Sequence, residues 1–192
     1  MSVNQKPQPK LRLDAQRNVE KLKEAALAAF EEQGLDAPLE AVARRAGVST
    51  GTLYNRFGSR EGLIDAVLPD LAASKLALIV KRTQNVSGDW ERFVCYVEGI
   101  CEMQMSDSAL NDAMSQRFPQ AQQLMAVCKE SLLYGQQLII QAQDQGSLRP
   151  DFNLEDLFFL FWANGALVRF IDEAPSNRWR QFLGFILDGL RT

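Results

Sequence analysis

The sequence predicts an all-α protein of about nine helices, divided between a small N-terminal three-helix unit and a larger C-terminal helical domain. Apolar residues recur at steps of three and four along almost the whole chain of 192 residues, the spacing that lines one face of a helix. No segment alternates apolar and polar residues as a half-buried strand does. Glycines and prolines fall between the periodic segments and separate one predicted helix from the next.

Two helices are predicted first, each followed by a glycine. Helix one covers about residues 14–33 and stops before Gly34. Helix two begins beside Pro38, which suits an opening turn because its missing N–H has no partner there. Gly47 ends helix two, since only glycine takes the left-handed conformation without a Cβ clash. The inner face of helix two consists of Leu39, Val42, Ala43 and Ala46.

A third helix follows the tight glycine turn and leaves an unusual set of side chains outside. Ser49 is its predicted cap, and Val48 and Leu53 are placed to form a hydrophobic staple around it. Leu53 and Phe57 point inward at i and i+4. The residues left outside are Thr50, Thr52, Tyr54, Asn55 and Arg56. Hydroxyls, an amide and a phenol on an exposed helix suit a major groove and its phosphates, so the pair is interpreted as a DNA-binding helix-turn-helix.

The rest of the chain is predicted to be helical as well. Ser59 caps a fourth helix, which either ends near Leu68 or kinks at Pro69, because proline removes a helix hydrogen bond. Residues 71–84 then form its continuation or a separate helix. The later predicted helices cover about residues 90–101, 108–117, 120–145, 154–170 and 178–190. They form an all-helical C-terminal domain.

Residues 17–68 resemble the DNA-binding domain of the TetR family of transcriptional regulators. The similarity lies in the segments KEAALAAFEEQG, AVARRAGVSTGTLYNRF and SREGLIDAV, in that order. The later segment GSLRPDFNLEDL resembles the loop into helix eight of many such regulators. The resemblance implies a flexible basic arm over residues 1–13, a helix-turn-helix domain over 14–68, and an effector-binding and dimerisation domain over 69–192.

The resemblance also implies roles for individual residues in DNA binding. Tyr54 is expected to place its hydroxyl on a phosphate, and Arg60, where the family usually has lysine, to add a charge to the backbone contact. Leu39 replaces a frequent threonine that helps anchor the DNA backbone, and Asn55-Arg56 replaces a variable residue followed by histidine. Base preference therefore stays open. The expected DNA-binding residues are Arg44, Ser49, Thr50, Gly51, Thr52, Tyr54, Asn55, Arg56 and Arg60.

Charge is distributed unevenly along a chain whose net charge is −3. Taken alone, that net charge argues against a nucleic-acid partner. Residues 1–23, however, carry six basic and two acidic residues, whereas the chain from residue 71 onward carries 11 basic and 14 acidic ones. The basic end is thus expected to face DNA, although such charges on helices are also the ordinary solvated face.

Aromatic residues concentrate in the larger part, which holds 14 of the 17. Some are expected to line an effector cavity between helices, and others to form a four-helix dimer interface, which the resemblance assigns to the last two helices. Ordinary core packing is the alternative for each of them. The expected ligand residues are Phe93, Tyr96, Phe118, Met125, Tyr134 and Trp162. The expected interface residues are Phe158, Phe161, Trp179, Phe182, Leu183 and Ile186.

Composition argues against an enzyme. The chain has no histidine, so it lacks the usual general base and the commonest metal ligand. No phosphate-binding or dinucleotide motif occurs, and three cysteines give no recognisable metal spacing, so neither a cofactor nor a metal is expected. The polar start MSVNQKPQPK and the absence of a long apolar run favour a cytoplasmic protein.

Two functions of different class remain. The first is a homodimeric, ligand-responsive repressor that releases a near-palindromic operator when a small-molecule effector binds its C-terminal domain. The second is a helical module that binds a small molecule or a protein and keeps a vestigial DNA-binding motif. Specific binding to operator DNA distinguishes them.

Overall fold

A computed structural model describes residues 9–114, 118, 120–170 and 177–192, and of residues 9–15, 170, 177 and 178 it describes the backbone alone. The described residues contain no strand, only an isolated bridge between Leu148 and Arg191, and the all-α prediction is confirmed. The helices of the described chain are α1 (Pro9–Gln33), α2 (Leu39–Arg45), α3 (Thr50–Phe57), α4 (Arg60–Gln84), α5 (Asp89–Ser106), α6 (Ser108–Met114), α7 (Gln122–Asp144), α8 (Leu154–Phe170) and α9 (Asn177–Leu190).

Helix α1 begins at Pro9, five residues before the predicted start. Proline is accommodated in a first turn, and nothing between Pro9 and Asp14 breaks a helix. Residues 9–13 of the predicted arm are therefore helical, and residues 1–8 lie outside the described residues. The expected helix over 108–117 likewise has its last three residues outside them.

The N-terminal helices contribute to one hydrophobic core that continues into the rest of the described chain. Leu22, Ala26 and Phe30 on α1 are buried against Val42 of α2 and Leu53 of α3. The apolar faces of three short helices thus meet at one place, and packing rather than helix propensity stabilises such short elements. The outer face of α3 is held at the surface by this core.

Helix α4 continues through Pro69, so it does not end near Leu68. An interior proline costs about 3 kcal/mol in a helix. Buried side chains on both sides of it, Leu68 before and Ala72 and Leu76 after, continue one apolar face, and their burial offsets that cost. One helix therefore joins the N-terminal core to α5 and α7, against which α4 packs.

The larger domain is built around α5. Its side chains Phe93, Val97 and Ile100 are buried between α4, α7 and α8. Asn164 of α8 accepts a hydrogen bond from Trp179 Nε1 at 2.8 Å, which attaches α9 to the domain. Because each buried amide and indole has a partner here, this polar contact fixes the packing without leaving an unpaired group.

Candidate functional site

The turn between α2 and α3 has the geometry that its sequence predicts. Gly47 has a φ of +71°, the left-handed region that favours glycine. Ser49 caps α3, since its Oγ accepts a hydrogen bond from the backbone N–H of Thr52 at 3.1 Å. The hydroxyls of Ser49 and Thr52 also lie 2.9 Å apart. The cap thus fixes the first turn of α3 and orients the Thr52 side chain.

The outward face of α3 is polar and accessible. Leu53 is fully buried and Phe57 half-buried, as predicted, whereas the Tyr54 side chain is 45% exposed. Thr50 is half-buried at the start of the helix. The exposed residues on or beside this face are Ser49, Gly51, Thr52, Tyr54, Asn55 and Arg56. Hydroxyl, amide and guanidinium groups can all donate hydrogen bonds to phosphates or base edges, so the face has the chemistry that a DNA groove requires.

Arg60 is placed differently from what the resemblance implies. Its side chain is half-buried, and Nη1 donates to the backbone carbonyls of Leu35 at 2.8 Å and Ala37 at 2.6 Å. The guanidinium therefore holds the connection between α1 and α2, and that Nη1 is committed to the protein itself. The sequence gives no signal for this contact, because the carbonyls lie 23 and 25 residues away.

A second basic group lies near the helix-turn-helix. Arg44 and Arg45 end α2 next to Lys21 of α1, and the three line one open cleft together with Glu24. Arg45 is paired with Glu32 at 2.8 Å, whereas Arg44 is exposed. Arg44 thus adds an exposed positive charge close to the turn that precedes α3.

An apolar cavity of about 340 Å³ lies between α6, α7 and α8. Its walls combine methionine, phenylalanine, leucine and alanine side chains with a few polar groups, as small-molecule sites do. Burial raises the pKa of the Cys128 thiol to about 11, so the thiol is neutral near pH 7. The lining residues are Ala113, Met114, Gln122, Met125, Ala126, Cys128, Lys129, Leu132, Phe158 and Phe161.

Of the six expected ligand residues, only Met125 lines this cavity. Phe93 and Tyr96 are core residues, and the Tyr96 hydroxyl donates to the Ser131 carbonyl at 2.7 Å. Burial raises the pKa of that hydroxyl well above its usual value.

The other three expected ligand residues also lie elsewhere. Phe118 is buried, Tyr134 packs edge-on against Tyr96 at 5.5 Å between ring centres, and Trp162 is on the outside of α8. These residues therefore do not line the cavity between α6, α7 and α8, and their role as ligand contacts stays a prediction. A helical repeat shows that a face is apolar, but it does not show which neighbour that face meets.

A larger open cleft of about 500 Å³ runs between α4, α5 and α9. Its charged side chains are already paired within the chain: Glu102 contacts Arg82 and Arg180, each at 3.2 to 3.3 Å. Lys75 is likewise paired with Asp107 at 2.8 Å. The cleft therefore offers a less apolar and less enclosed environment than the cavity between α6, α7 and α8.

An exposed aromatic face covers α8 and α9. Phe159, Phe182 and Phe185 are 62%, 53% and 65% exposed, and Trp162 and Leu167 extend the same kind of surface along α8. Three aromatic rings left in water mark a surface that another molecule covers.

The predicted interface residues divide into three groups. Phe182 is exposed, Phe158 and Ile186 are half-buried, and the remaining three, Phe161, Trp179 and Leu183, are buried within the chain itself. Trp179 and Leu183 nevertheless line an open apolar cleft between α8 and α9 together with Phe182 and Ile186, so the assignment of these residues to an interface stays a prediction. The sequence analysis missed Phe159, because α8 is apolar on all sides and periodicity cannot separate its faces. It also missed Phe185 of α9.

Two family models match the chain, one on each part. The model described as "Bacterial regulatory proteins, tetR family" matches residues 22–67. The model "Transcriptional regulator SbtR-like, C-terminal domain" matches residues 90–192, more than half of the chain. The chain belongs to the TetR family of bacterial transcriptional regulators. The predicted resemblance is confirmed.

Similar proteins of known sequence and structure agree with the TetR assignment. The HTH-type transcriptional regulator BetI of Escherichia coli is 31% identical over 134 residues, which cover 65% of this chain and 68% of BetI. The ketosteroid regulator KstR2 of Mycobacterium tuberculosis is 23% identical with a TM-score of 0.63, covering 100% of this chain and 97% of KstR2.

Two further solved structures share the fold and contain bound ligands. RolR in complex with resorcinol is 16% identical with a TM-score of 0.65, covering 93% of this chain and 90% of RolR. FadR of Bacillus subtilis in complex with stearoyl-CoA is 14% identical with a TM-score of 0.56, covering 78% and 84%. At these identities the likeness concerns the fold alone.

Within the part of the chain that the structure describes, no group of three or more acidic, cysteine or histidine side chains is arranged to hold a metal ion. None of the described helices combines the length and apolarity needed to cross a bilayer.

Proposed function

We propose that this protein is a ligand-responsive repressor that binds a near-palindromic operator as a homodimer and releases it when a small molecule occupies the C-terminal domain. The observation that carries the proposal is the polar, accessible face of α3, held at the surface by its Ser49 cap and its buried Leu53. A role in binding bacterial operator DNA supports a cytoplasmic location.

Contacts with DNA follow from the positions of individual side chains. Thr52 lies in the capped first turn, where side chains of a recognition helix reach base edges. The exposure of Tyr54 supports a contact between its hydroxyl and a phosphate. Arg44 and Arg56 add exposed charge on the same domain. Arg60 supports the domain from within rather than adding to the phosphate contacts.

We propose that a second copy of the chain packs against the aromatic face of α8 and α9. A symmetric pair buries Phe159, Phe182 and Phe185 of both copies at once. Two recognition helices then have to lie about 34 Å apart to enter successive major grooves of B-form DNA. A near-palindromic operator matches that two-fold symmetry.

The cavity between α6, α7 and α8 is the proposed effector site. Its apolar walls and its few polar groups, with Lys129 at the edge, suit a small, mainly apolar molecule. A ligand shifts the equilibrium between operator-binding and released forms only through a difference in its affinity for the two.

Binding to the DNA upstream of the protein's own gene tests the proposal. A gel shift at stated salt should show tight specific binding that unrelated DNA does not compete away. Tyr54→Phe should weaken binding to all sequences by about fivefold, as loss of one phosphate hydrogen bond does. Thr52→Ala should instead change the preference among operator variants.

The alternative is a helical binding module whose helix-turn-helix is vestigial. It predicts weak DNA binding without sequence preference and no difference between the Thr52→Ala and Tyr54→Phe variants. That result would overturn the repressor, even if the protein bound small molecules.

A further inference from the structure

The connection between α1 and α2 is held from two sides by charged residues of other helices. The backbone N–H of Leu35 donates to Asp112 Oδ2 of α6 at 3.1 Å, and the Leu35 carbonyl accepts from Arg60 of α4 at 2.8 Å. The Leu35 side chain is fully buried. Both polar backbone groups of this one residue are therefore fixed by side chains far away in sequence.

The neighbouring glycine allows Asp112 to approach the backbone closely. Gly34 has a φ of +73°, and a Cβ atom there would lie 3.1 Å from Asp112 Oδ2. Asp112 is 8% exposed, and Arg169 of α8 donates a hydrogen bond to its Oδ1. A nearly buried carboxylate requires such partners, because removing a charge from water is costly. Asp112 thus connects α8 to the DNA-binding domain.

Helix α6 has only seven residues, and three consecutive ones have different contacts. Asn111 Nδ2 donates to the Gly165 carbonyl of α8 at 3.0 Å, and a Cβ atom on Gly165 would lie 2.4 Å from Asn111 Oδ1. Asp112 holds the α1–α2 connection. Ala113, together with Met114, lines the cavity between α6, α7 and α8. Any movement of the cavity wall at Ala113 is therefore also a movement of Asp112.

We propose that Asp112 is the positioning residue through which occupancy of this cavity changes the placement of the DNA-binding domain. The inference rests on the proposed function, since it assigns the coupling between the effector site and the operator-binding surface. Helix shifts of about 1 to 2 Å are common in such transitions. A displacement of about 1 Å lengthens the 3.1 Å contact to Leu35 beyond hydrogen-bonding distance, so the connection before α2 loses one of its two attachments and is held by Arg60 alone.

Substitutions can test this coupling without an identified effector. Ala126 lines the cavity but is exposed, so Ala126→Trp can fill the space with little strain on the core. It is combined with wild-type Asp112, with Asp112→Ala and with Asp112→Asn, whose amide oxygen can still accept from Leu35. Asp144→Ala removes a carboxylate from an exposed position on α7 and controls for the change in net charge.

Two quantities are measured for each variant: affinity for the upstream operator and hydrogen exchange of single backbone amides. Asp112→Ala should speed exchange of the Leu35 amide at least about tenfold, because that amide loses its acceptor. The Gly34 amide, which donates to the Phe30 carbonyl at 2.8 Å, should change little and shows that the connection has not simply unfolded. Asp112→Asn should keep most of the Leu35 protection.

The operator measurements test whether the contact between Asp112 and Leu35 couples filling of the cavity to operator affinity. With wild-type Asp112, and in the Asp144→Ala control, Ala126→Trp should weaken operator binding at least about fivefold, the lower end of usual coupling between sites. With Asp112→Ala the same substitution should change affinity less than about twofold, and Asp112→Asn should restore part of the effect. A merely structural role for Asp112 would lower stability without removing the effect of Ala126→Trp.

Three results would overturn the inference: unchanged Leu35 exchange in Asp112→Ala, an undiminished effect of Ala126→Trp in that variant, or no effect of Ala126→Trp on operator affinity or Leu35 exchange with wild-type Asp112. In each of these the wild-type protein still binds its operator, and the proposed function stands. If the wild-type protein binds no upstream DNA, the proposed function is wrong, and the inference that rests on it is wrong as well.

Discussion

The outer face of α3 and the aromatic face of α8 and α9 are both exposed to solvent, but their side chains differ in chemistry. The outer face of α3 exposes hydroxyl, amide and guanidinium groups, with Tyr54 45% exposed. The outer face of α8 and α9 exposes phenylalanine rings, and Phe185 is 65% exposed. The first surface is stable in water and also suits phosphates and base edges, whereas the second gains free energy only when another apolar surface covers it.

The difference indicates two partners of different kinds on one chain. A hydroxyl-bearing helix in a duplex exchanges water contacts for DNA contacts, so its binding depends on salt and on base sequence. An aromatic face loses water altogether on association, so its binding depends on the area covered. Substitutions in one surface, or in the residues that hold it in place, leave the side chains of the other surface unchanged and can therefore test the two separately.

The largest effect is expected on the aromatic face. Phe182→Asp should weaken self-association by about 4 kcal/mol per dimer, roughly a thousandfold, because both copies lose a buried ring and gain a charge. Sedimentation equilibrium measures the change. Operator binding should fall with it, since a monomer reaches one half-site only.

Ile140→Asp is the matched control for this substitution. Ile140 is 50% exposed on α7, outside the aromatic face, so the same charge there should leave the dimer intact. Equal dissociation by both variants, or by neither, would contradict the assignment of α8 and α9 as the interface.

An intermediate effect is expected from Arg60, which holds the connection between α1 and α2 within the DNA-binding domain. Arg60→Ala should lower the free energy of unfolding by about 2 kcal/mol, because the carbonyls of Leu35 and Ala37 lose a charged donor. Denaturant titration measures the loss. Arg56→Ala, on the exposed side of α3, should cost less than about 0.5 kcal/mol yet weaken DNA binding more at equal folded fraction. If Arg60→Ala cost less stability than Arg56→Ala but weakened DNA binding more, Arg60 would be a DNA-contacting residue.

The smallest effect is expected from the helix caps. Ser49→Ala and Ser59→Ala should each cost about 1 kcal/mol of stability, because each hydroxyl accepts an amide hydrogen bond, at 3.1 and 3.0 Å. Only Ser49→Ala should also weaken operator binding, since it releases the first turn of α3 and the Thr52 hydroxyl. Thermal unfolding and DNA titration of both variants check this. Equal operator affinity in the two would show that the capped turn does not reach DNA.

Local signals in the sequence were sufficient for the helix-turn-helix. Gly47, Ser49 and Leu53 each act over a few residues, through a left-handed turn, a cap and one inward side chain. Such interactions act within a few residues, so periodicity and capping rules predicted the exposed residues of α3, except for Thr50, which is half-buried. The family resemblance lies in the same stretch, and the matched model confirms it.

Contacts between residues far apart in the sequence could not be predicted from such local rules. Arg60 carries the same charge whether it meets a phosphate or the Leu35 carbonyl, and only the folded chain brings that carbonyl within 2.8 Å. Asp112 on α6 gave no signal in the sequence, because its partner is an ordinary backbone N–H 77 residues away. The continuation of α4 through Pro69 likewise depends on burial on both sides of the proline.

The sequence by itself determined the helical fold, the order of its helices and the polar face of α3, because these depend on spacing and on neighbours along the chain. Tertiary structure alone decided which apolar residues line the cavity, which are core and which face a partner. The physical reason lies in α8, which is apolar around its whole circumference: burial, cavity wall and interface all favour the same side chains there, and only packing separates Phe161 from Phe159.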